Sequence, residues 1–282
     1  MNENGLVSII IPTYNRDLCY ISRAIQSIMQ QTYKNYEIIV VDDNICNSNY
    51  SLKIKKYCTT NNIIYLTTKG KQGANTARNI GACYAKGIYL AFLDDDDIWL
   101  KNKLEIQLAH FTNNIGMIYS NGYIITSKIK RLYTKPENFV TEGNLYKLFL
   151  YNYIGPTVSA LIKRDCFFNV GMFDETMPSK QDYELWIRIV KKYKVIGIKQ
   201  PLFLYTRHDS CQMTKNYNLI LEGYNKIYEK NKSYLKNDFI FNFFFYLKLA
   251  KIYKNQKRMF KYYKCLFWAF TFIKFKNLKI IY

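Results

Sequence analysis

The feature that most constrains this chain is an apolar run that stops abruptly in carboxylates. Ile88-Tyr89-Leu90-Ala91-Phe92-Leu93 passes directly into Asp94-Asp95-Asp96-Asp97. A short, unbroken apolar run reads as a strand buried on both faces, which is how strands of a covered parallel sheet read. Similar runs precede it. Leu6 to Ile11 ends at Pro12, Ile38 to Val41 ends in Asp42-Asp43-Asn44, and Ile63 to Leu66 is a third. Between them lie helix-like segments. Leu18 to Gln31 has apolar Ile21, Ala24, Ile25 and Ile28, and Gly73 to Tyr84 has Ala77, Ile80, Gly81 and Tyr84 on one side. This alternation predicts an α/β fold with a mostly parallel central sheet and helices on both faces. Further on, Met117 to Thr126, Thr157 to Ile162 and Lys194 to Ile198 read as strands. Gln181 to Lys192 reads as an amphipathic helix carrying Leu185, Trp186, Ile189 and Val190 on its apolar face.

In open α/β sheets, ligands bind outside the carboxyl ends of the strands. Here those ends carry Pro12-Thr13-Tyr14-Asn15, Asp42-Asp43 and Asp94 to Asp97. Adjacent carboxylates repel one another, and a divalent cation relieves the repulsion; Mg²⁺ or Mn²⁺ takes one or two carboxylates plus phosphate oxygens. The other reading of the four acids is a solvated loop, with Asp96 or Asp97 capping a helix that starts near Trp99. Asp42-Asp43 either accepts hydrogen bonds from a nucleotide or caps its own loop. A zinc site is excluded by the scarcity of ligands, because only His110 and His208 are present and the cysteines are scattered. No G-x-G-x-x-G follows the first strand and no G-x-x-x-x-G-K-[ST] occurs, which argues against a dinucleotide oxidoreductase and a P-loop NTPase.

Charge and cysteine content add the setting. The chain has 282 residues, 41 Lys+Arg and 21 Asp+Glu, for a net charge of +20. That length suits one large domain plus an appendage. Seven cysteines, an odd number with no C-x-x-C, fit a reducing compartment rather than a disulfide scaffold. With no signal-like start and no apolar stretch near 18 residues, the expectation is a cytoplasmic protein. Excess positive charge calls for a nucleic acid, an anionic membrane surface or a phosphorylated substrate as partner. Residues 230 to 282 hold 13 Lys/Arg against one acid, Asp238, interleaved with aromatics. They read as basic amphipathic helices that either lie on an anionic bilayer at the inner face of the plasma membrane or pack on the rest of the chain. Nucleic acid is set aside, since no RRM, KH, zinc-finger or helix-turn-helix signature occurs and the acidic rim would repel it.

Several blocks occur in order. Val7 to Arg16 (VSIIIPTYNR), Glu37 to Asp43 (EIIVVDD), Gly73 to Asn79 (GANTARN) and Lys86 to Asp97 (KGIYLAFLDDDD) are followed by Gly171 to Asp174 (GMFD), Gln181 to Arg188 (QDYELWIR) and Tyr205 to His208 (YTRH). Together they resemble the family 2 glycosyltransferases of GT-A fold over roughly residues 6–213. The resemblance implies a catalytic domain over residues 1–215, and the change of composition beyond it predicts a basic helical extension over 216–282, outside the resemblance. It implies transfer of a sugar, with inversion, from a nucleotide-diphosphate donor, with UDP favoured, to a glycan or lipid-linked acceptor. Capsule, lipooligosaccharide or another surface glycan would be the product. Carried over by position, Pro12, Thr13 and Tyr14 flank the nucleotide base. Asp43 holds the uracil beside Asp42, and Arg78 lies near the nucleotide. Asp94-x-Asp96 resembles the D-x-D motif, with Asp94 and Asp95 toward the nucleotide and Asp96, Asp97 and His208 toward Mg²⁺ or Mn²⁺. Asp182 matches the catalytic base, although Gln181 stands where the family usually has an acid. A sugar nucleotidyltransferase is the nearest competing enzyme; its Gly-rich, basic loop after the first strand is missing here.

Overall fold

The computed structural model describes residues 5–207, 216–235 and 238–271. In chain order its elements are β1 (Val7–Thr13), α1 (Leu18–Met29), β2 (Tyr36–Asp42), α2 (Asn49–Thr60), β3 (Ile64–Thr67), α3 (Ala74–Tyr84), β4 (Tyr89–Phe92) and β5 (Ile98–Trp99). They continue with α4 (Lys103–Ala109), β6 (Ile115–Ile125), β7 (Lys130–Leu132), α5 (Leu145–Leu150), β8 (Ala160–Lys163), α6 (Arg164–Asn169), α7 (Gln181–Lys192) and β9 (Lys194–Thr206). Three helices follow: α8 (Tyr217–Leu235), α9 (Phe239–Asn255) and α10 (Met259–Thr271).

Two compact units result. The first comprises Met1–Leu145, Tyr153–Glu175 and Asp182–Asp209; the second comprises Tyr146–Asn152, Thr176–Gln181 and Ser210–Tyr282. In the first, the strands form one sheet in the order β3-β2-β1-β4-β8-β6-β9-β5, with β7 beside β6. The β3, β2, β1 and β4 neighbours are parallel, as the apolar runs predict, and every residue of β1 and β4 is buried. Burial on both faces follows from the βα connections, which lay helices over the sheet. Ile21, Ala24, Ile25 and Ile28 of α1 are fully buried beside Ile9, Ile11 and Val40. Beyond β4 the sheet turns antiparallel at β8, then pairs β6 with β9 in parallel.

Three sequence expectations change. Thr157 to Ser159 is a 3₁₀ turn, and the strand begins only at Ala160. Pro156 opens that turn, its carbonyl accepting from the Ser159 N–H at 3.0 Å. The strand beginning at Lys194 does not stop at Ile198 but runs to Thr206. Pro201, which has no N–H to give a ladder, sits opposite Asn121 where the register with β6 slips. Finally, no helix starts near Trp99, so Asp96 and Asp97 are not its cap. Ile98 and Trp99 pair instead with Leu204 and Phe203 of the lengthened β9, and the helix waits until Lys103.

Candidate active site

The carboxyl ends of β1, β2 and β4 are stitched into one rim. Thr13 pairs with Asp42, the Asp43 N–H donates to the Thr13 carbonyl at 2.8 Å, and the Leu93 N–H donates to the Ile10 carbonyl at 3.0 Å. Pro12 and Thr13 are therefore buried strand ends, while Tyr14, one residue beyond, is 48% exposed with its ring at the surface. The chain leaves β4 straight into the four carboxylates, so the sheet itself delivers them to this rim.

Each carboxylate there is held by a side chain or backbone donor, and two of them share one. Asp94 Oδ1 accepts from Arg78 Nη2 at 2.6 Å. Arg78 is a buried residue of α3 whose guanidinium lies 5.4 Å from the Phe173 ring centroid. Asp95 Oδ2 accepts from Thr13 Oγ1 at 2.8 Å, and its Oδ1 accepts from Arg16 Nε at 3.1 Å. Asp96 Oδ2 takes a second donor of the same guanidinium, Arg16 Nη2, at 3.1 Å. Arg16 thus bridges two neighbouring acids, and it rests 5.4 Å from the Tyr20 ring centroid. Asp97 Oδ1 accepts from the Thr206 N–H of β9 at 2.8 Å, while its Oδ2 is buried with no hydrogen-bond partner.

This crowding perturbs the acids. Burial pushes Asp95 up to about 7; Arg16 and Thr13 oppose the rise, and Asp96 and Asp94 add to it. Asp97 is held well above the ordinary carboxylate range, first by burial and then by the charges of Asp94 and Asp96. An orphaned buried oxygen beside several like charges is where a hard divalent cation lowers the energy, so the donor set fits Mg²⁺ or Mn²⁺. Among the described residues no group of three or more His, Cys, Asp and Glu side chains is disposed to hold a metal. The fit is therefore to a site in which Asp96 and Asp97 supply part of the coordination and ligand oxygens the rest. His208 lies outside the described residues.

Asp42 and Asp43 prove to be heavily engaged within the protein. Asp42 accepts from Asn44 N and Nδ2 at 2.9 and 2.6 Å and from the Tyr65 hydroxyl at 2.7 Å. Asp43 accepts from the Thr68 hydroxyl, from the Gln72 N–H at 2.8 Å and from the Gly73 N–H at 2.8 Å. Those bonds fold the 68–73 loop over the end of β2 and set the start of α3, where Gly73 adopts a φ of +94°. A carboxylate has about four acceptor positions, so Asp43 keeps one for a further donor.

Asp182 stands in the first turn of α7, and its Oδ1 accepts from the Tyr183 N–H at 2.7 Å. Its relation to the acidic run is read from two tyrosines that the sequence reading gave no role. Burial raises Tyr133 to about 12, and the charges of Asp182 and Asp97 add to the rise while Arg207 counters it. Tyr205 is raised in the same way, by burial and then by Asp97, Tyr133, Asp94 and Asp182. The two rings meet edge to face with centroids 6.0 Å apart. Asp182 and Asp97 therefore act on both phenols, and Asp94 acts on Tyr205. Tyr205 opens the YTRH block and so carried a signal; Tyr133 lies in a stretch with no recognisable pattern. Arg16 closes the first block as its only base, which was the clue to its pairing. Trp186, read from its spacing as core, is fully buried and donates from Nε1 to the Gly155 carbonyl at 2.9 Å. The buried thiols of Cys58 and Cys166 are pushed up to about 12, in keeping with inert cysteines.

No helix among the described residues is long and apolar enough to cross a membrane. A family model described as "Glycosyl transferase family 2" matches residues 8–176. An Escherichia coli (strain K12) protein named "Putative colanic acid biosynthesis glycosyl transferase WcaA" is 32% identical over 245 residues, 82% of this chain and 83% of that protein. Another from Escherichia coli, "UDP-Glc:alpha-D-GlcNAc-diphosphoundecaprenol beta-1,3-glucosyltransferase WfgD", is 35% identical over 198 residues, 70% of this chain and 74% of its own. Among solved structures, GalNAc-T7 with UDP, GalNAc and Mn²⁺ superposes with a TM-score of 0.62 at 17% identity, over 80% of this chain and 48% of that one. The shared architecture is the GT-A fold.

Proposed function

Because the chain belongs to glycosyl transferase family 2 and is a glycosyltransferase, we propose that it moves a sugar from a UDP-sugar to a lipid-linked glycan acceptor during surface-polysaccharide synthesis. The observation that carries this reading is the rim of four consecutive carboxylates, two of them bridged by Arg16 and one held by Arg78, of which Asp94 and Asp97 act with Asp182 on Tyr205. The name of the glucosyltransferase relative supports a UDP donor and a diphosphoundecaprenol-linked acceptor. UDP and Mn²⁺ in the solved relative support the donor and the metal.

In this reading Tyr14 offers its exposed ring to the base, between Pro12-Thr13 and the spare acceptor position of Asp43. Asp96 and Asp97 would hold a divalent cation, with Asp94 and Asp95 toward the nucleotide. When bound, the metal offsets charge on the diphosphate. Arg78 aligns Asp94 and contributes positive charge at the same rim. Asp182 takes the proton of the acceptor hydroxyl as that oxygen attacks the anomeric carbon, and the bond to UDP breaks on the opposite side. One displacement inverts the centre, and no covalent enzyme intermediate forms.

The test is release of UDP from a panel of UDP-sugars with Mg²⁺ or Mn²⁺, together with Asp182→Asn. Removing a general base lowers turnover by roughly 10²–10⁴-fold, while UDP binding measured by calorimetry stays at the wild-type value. Near-normal turnover in Asp182→Asn refutes the assignment of the base. Release of pyrophosphate instead of UDP refutes the reaction class.

A further inference from the structure

Helix α10 carries a feature that catalysis does not use. Successive residues of a helix are about 100° apart, which brings Met259, Phe260, Tyr263, Phe267 and Phe270 onto one side. All five are exposed: Phe260 by 83%, Phe267 by 64% and Tyr263 by 60%. The opposite side, Cys265 and Ala269, is buried in the packing of α10 on α9. Lys261, Lys264 and Trp268 follow the aromatic stripe around one flank. From Phe239 to Thr271 there are seven Lys/Arg and no Asp or Glu. A soluble helix shows this face only when something else covers it.

We propose that the outward stripe of α10 inserts into the headgroup region of an anionic phospholipid bilayer, with Lys261, Lys264 and the bases before them on lipid phosphates. The inference goes beyond the transferase reading and does not depend on it. The chemistry favours a bilayer over a second copy of this chain. Pairing two copies through this stripe would bring two basic helix pairs together, with no carboxylate on either α9 or α10 to offset their charge. An interfacial helix needs what is present: large aromatic side chains on one face, bases at its border and no acid. Tyrosine and tryptophan each present an apolar body and a polar tip, which suits the boundary between lipid and water.

The molecule supplies its own reporter. Of its three tryptophans, Trp99 and Trp186 are 2% and 0% exposed, whereas Trp268 on α10 is 43% exposed. The full chain is mixed with phosphatidylcholine vesicles containing roughly a third phosphatidylglycerol, and with pure phosphatidylcholine; binding is read by sedimentation and tryptophan emission. The expected result is binding to the anionic vesicles with a blue shift, and much weaker binding to the neutral ones. Each base near the surface contributes about 1 kcal/mol, or about fivefold, so Lys261→Gln with Lys264→Gln loses about 25-fold. Phe260→Ser with Phe267→Ser loses binding and shift together. These positions are exposed, and unchanged circular dichroism verifies that each variant is folded. Failure of the full chain to bind anionic vesicles overturns the proposal, as does equal binding by both variants. A dimer without lipid that the phenylalanine variant dissolves also overturns it, because the stripe would then face a second copy. UDP release is scored separately, so a failed vesicle result leaves the transferase reading standing, and the reverse.

Discussion

Lys103, in the first turn of α4, is 0% exposed. Its ammonium donates to Gln107 Oε1 and lies 4.7 Å from the centroid of the Trp99 ring. Burial lowers its pKa from 10.5 to about 7. One pKa unit is worth about 1.4 kcal/mol, so this shift corresponds to a stability cost of about 5 kcal/mol at pH below 7. The sign follows from proton counting. Between pH 7 and 10.5 the unfolded chain holds a proton on Lys103 that the folded chain does not, so stability rises with pH across that window. Below pH 7 both states are protonated and the cost is flat; above 10.5 both are neutral and it vanishes.

Lys103→Met keeps the length of the side chain and removes the charge. It also strips Gln107 Oε1 of its donor, a loss of about 1–3 kcal/mol for a buried acceptor. At pH 7 the relieved cost is about 4 kcal/mol, so the variant is more stable than the parent by roughly 1–3 kcal/mol. At pH 9 the relieved cost is about 2 kcal/mol, and the two proteins are nearly equal. Above pH 10.5 the variant is the less stable one. Urea unfolding of both proteins at several pH values measures the difference, in which all other titrating groups cancel. A difference that stays constant from pH 7 to 9 refutes the reasoning.

Two further predictions concern the rim and its support. Arg78→Met removes a charge-assisted bond of 2.6 Å to Asp94; the dissociation constant for UDP with Mn²⁺ rises roughly tenfold or more, since such a bond is worth about 1.5–3 kcal/mol, and an unchanged constant by calorimetry contradicts the role. Gly155→Ala sets a Cβ 2.9 Å from the Tyr133 ring at a φ of +88°; strain of about 1–3 kcal/mol is expected, read as a fall of roughly 3–8 °C in Tm, and an unshifted melt rules it out.

Much of the fold could be read in advance because the first half of the sheet is built from local signals. The apolar runs of β1, β2 and β4 are short and unbroken, and each gives way to a proline or a carboxylate within a residue or two of its strand's end. The acids of the candidate site sit at those same ends, so locating the strands also located them. The signal weakens where structure depends on distant partners. The sequence gives no hint that β9 runs past Pro201, because the slip in register with β6 that accommodates the proline belongs to both strands. A helix starting near Trp99 is open to a local reading of the sequence because the pairing of Trp99 with Phe203 lies 104 residues away. Arg16 was visible, but its bridging of Asp95 and Asp96 needs the turn after β1 to fold back over the end of β4.

The two blocks that looked like separate motifs, GANTARN and GMFD, turn out to be one contact. Asn79 holds Phe173 from both sides, accepting from its N–H at 3.0 Å and donating to its carbonyl at 2.9 Å. Asn75 donates to the Asp174 carbonyl at 2.9 Å, and Thr76 and Asn79 both reach the Glu175 carboxylate. The same short segment is held from the other side by α7. Arg188 donates to the carbonyls of Val170 and Met172 while its guanidinium is locked on buried Glu184, the two Nε distances being 3.0 and 3.1 Å. Residues 170–175 therefore tie α3, which carries Arg78, to α7, which carries Asp182. In the proposed reaction the leaving diphosphate and the attacking hydroxyl must be addressed from opposite sides of one carbon. Asparagines and an arginine that touch no carboxylate of the rim thereby hold together the helices that carry Arg78 and Asp182.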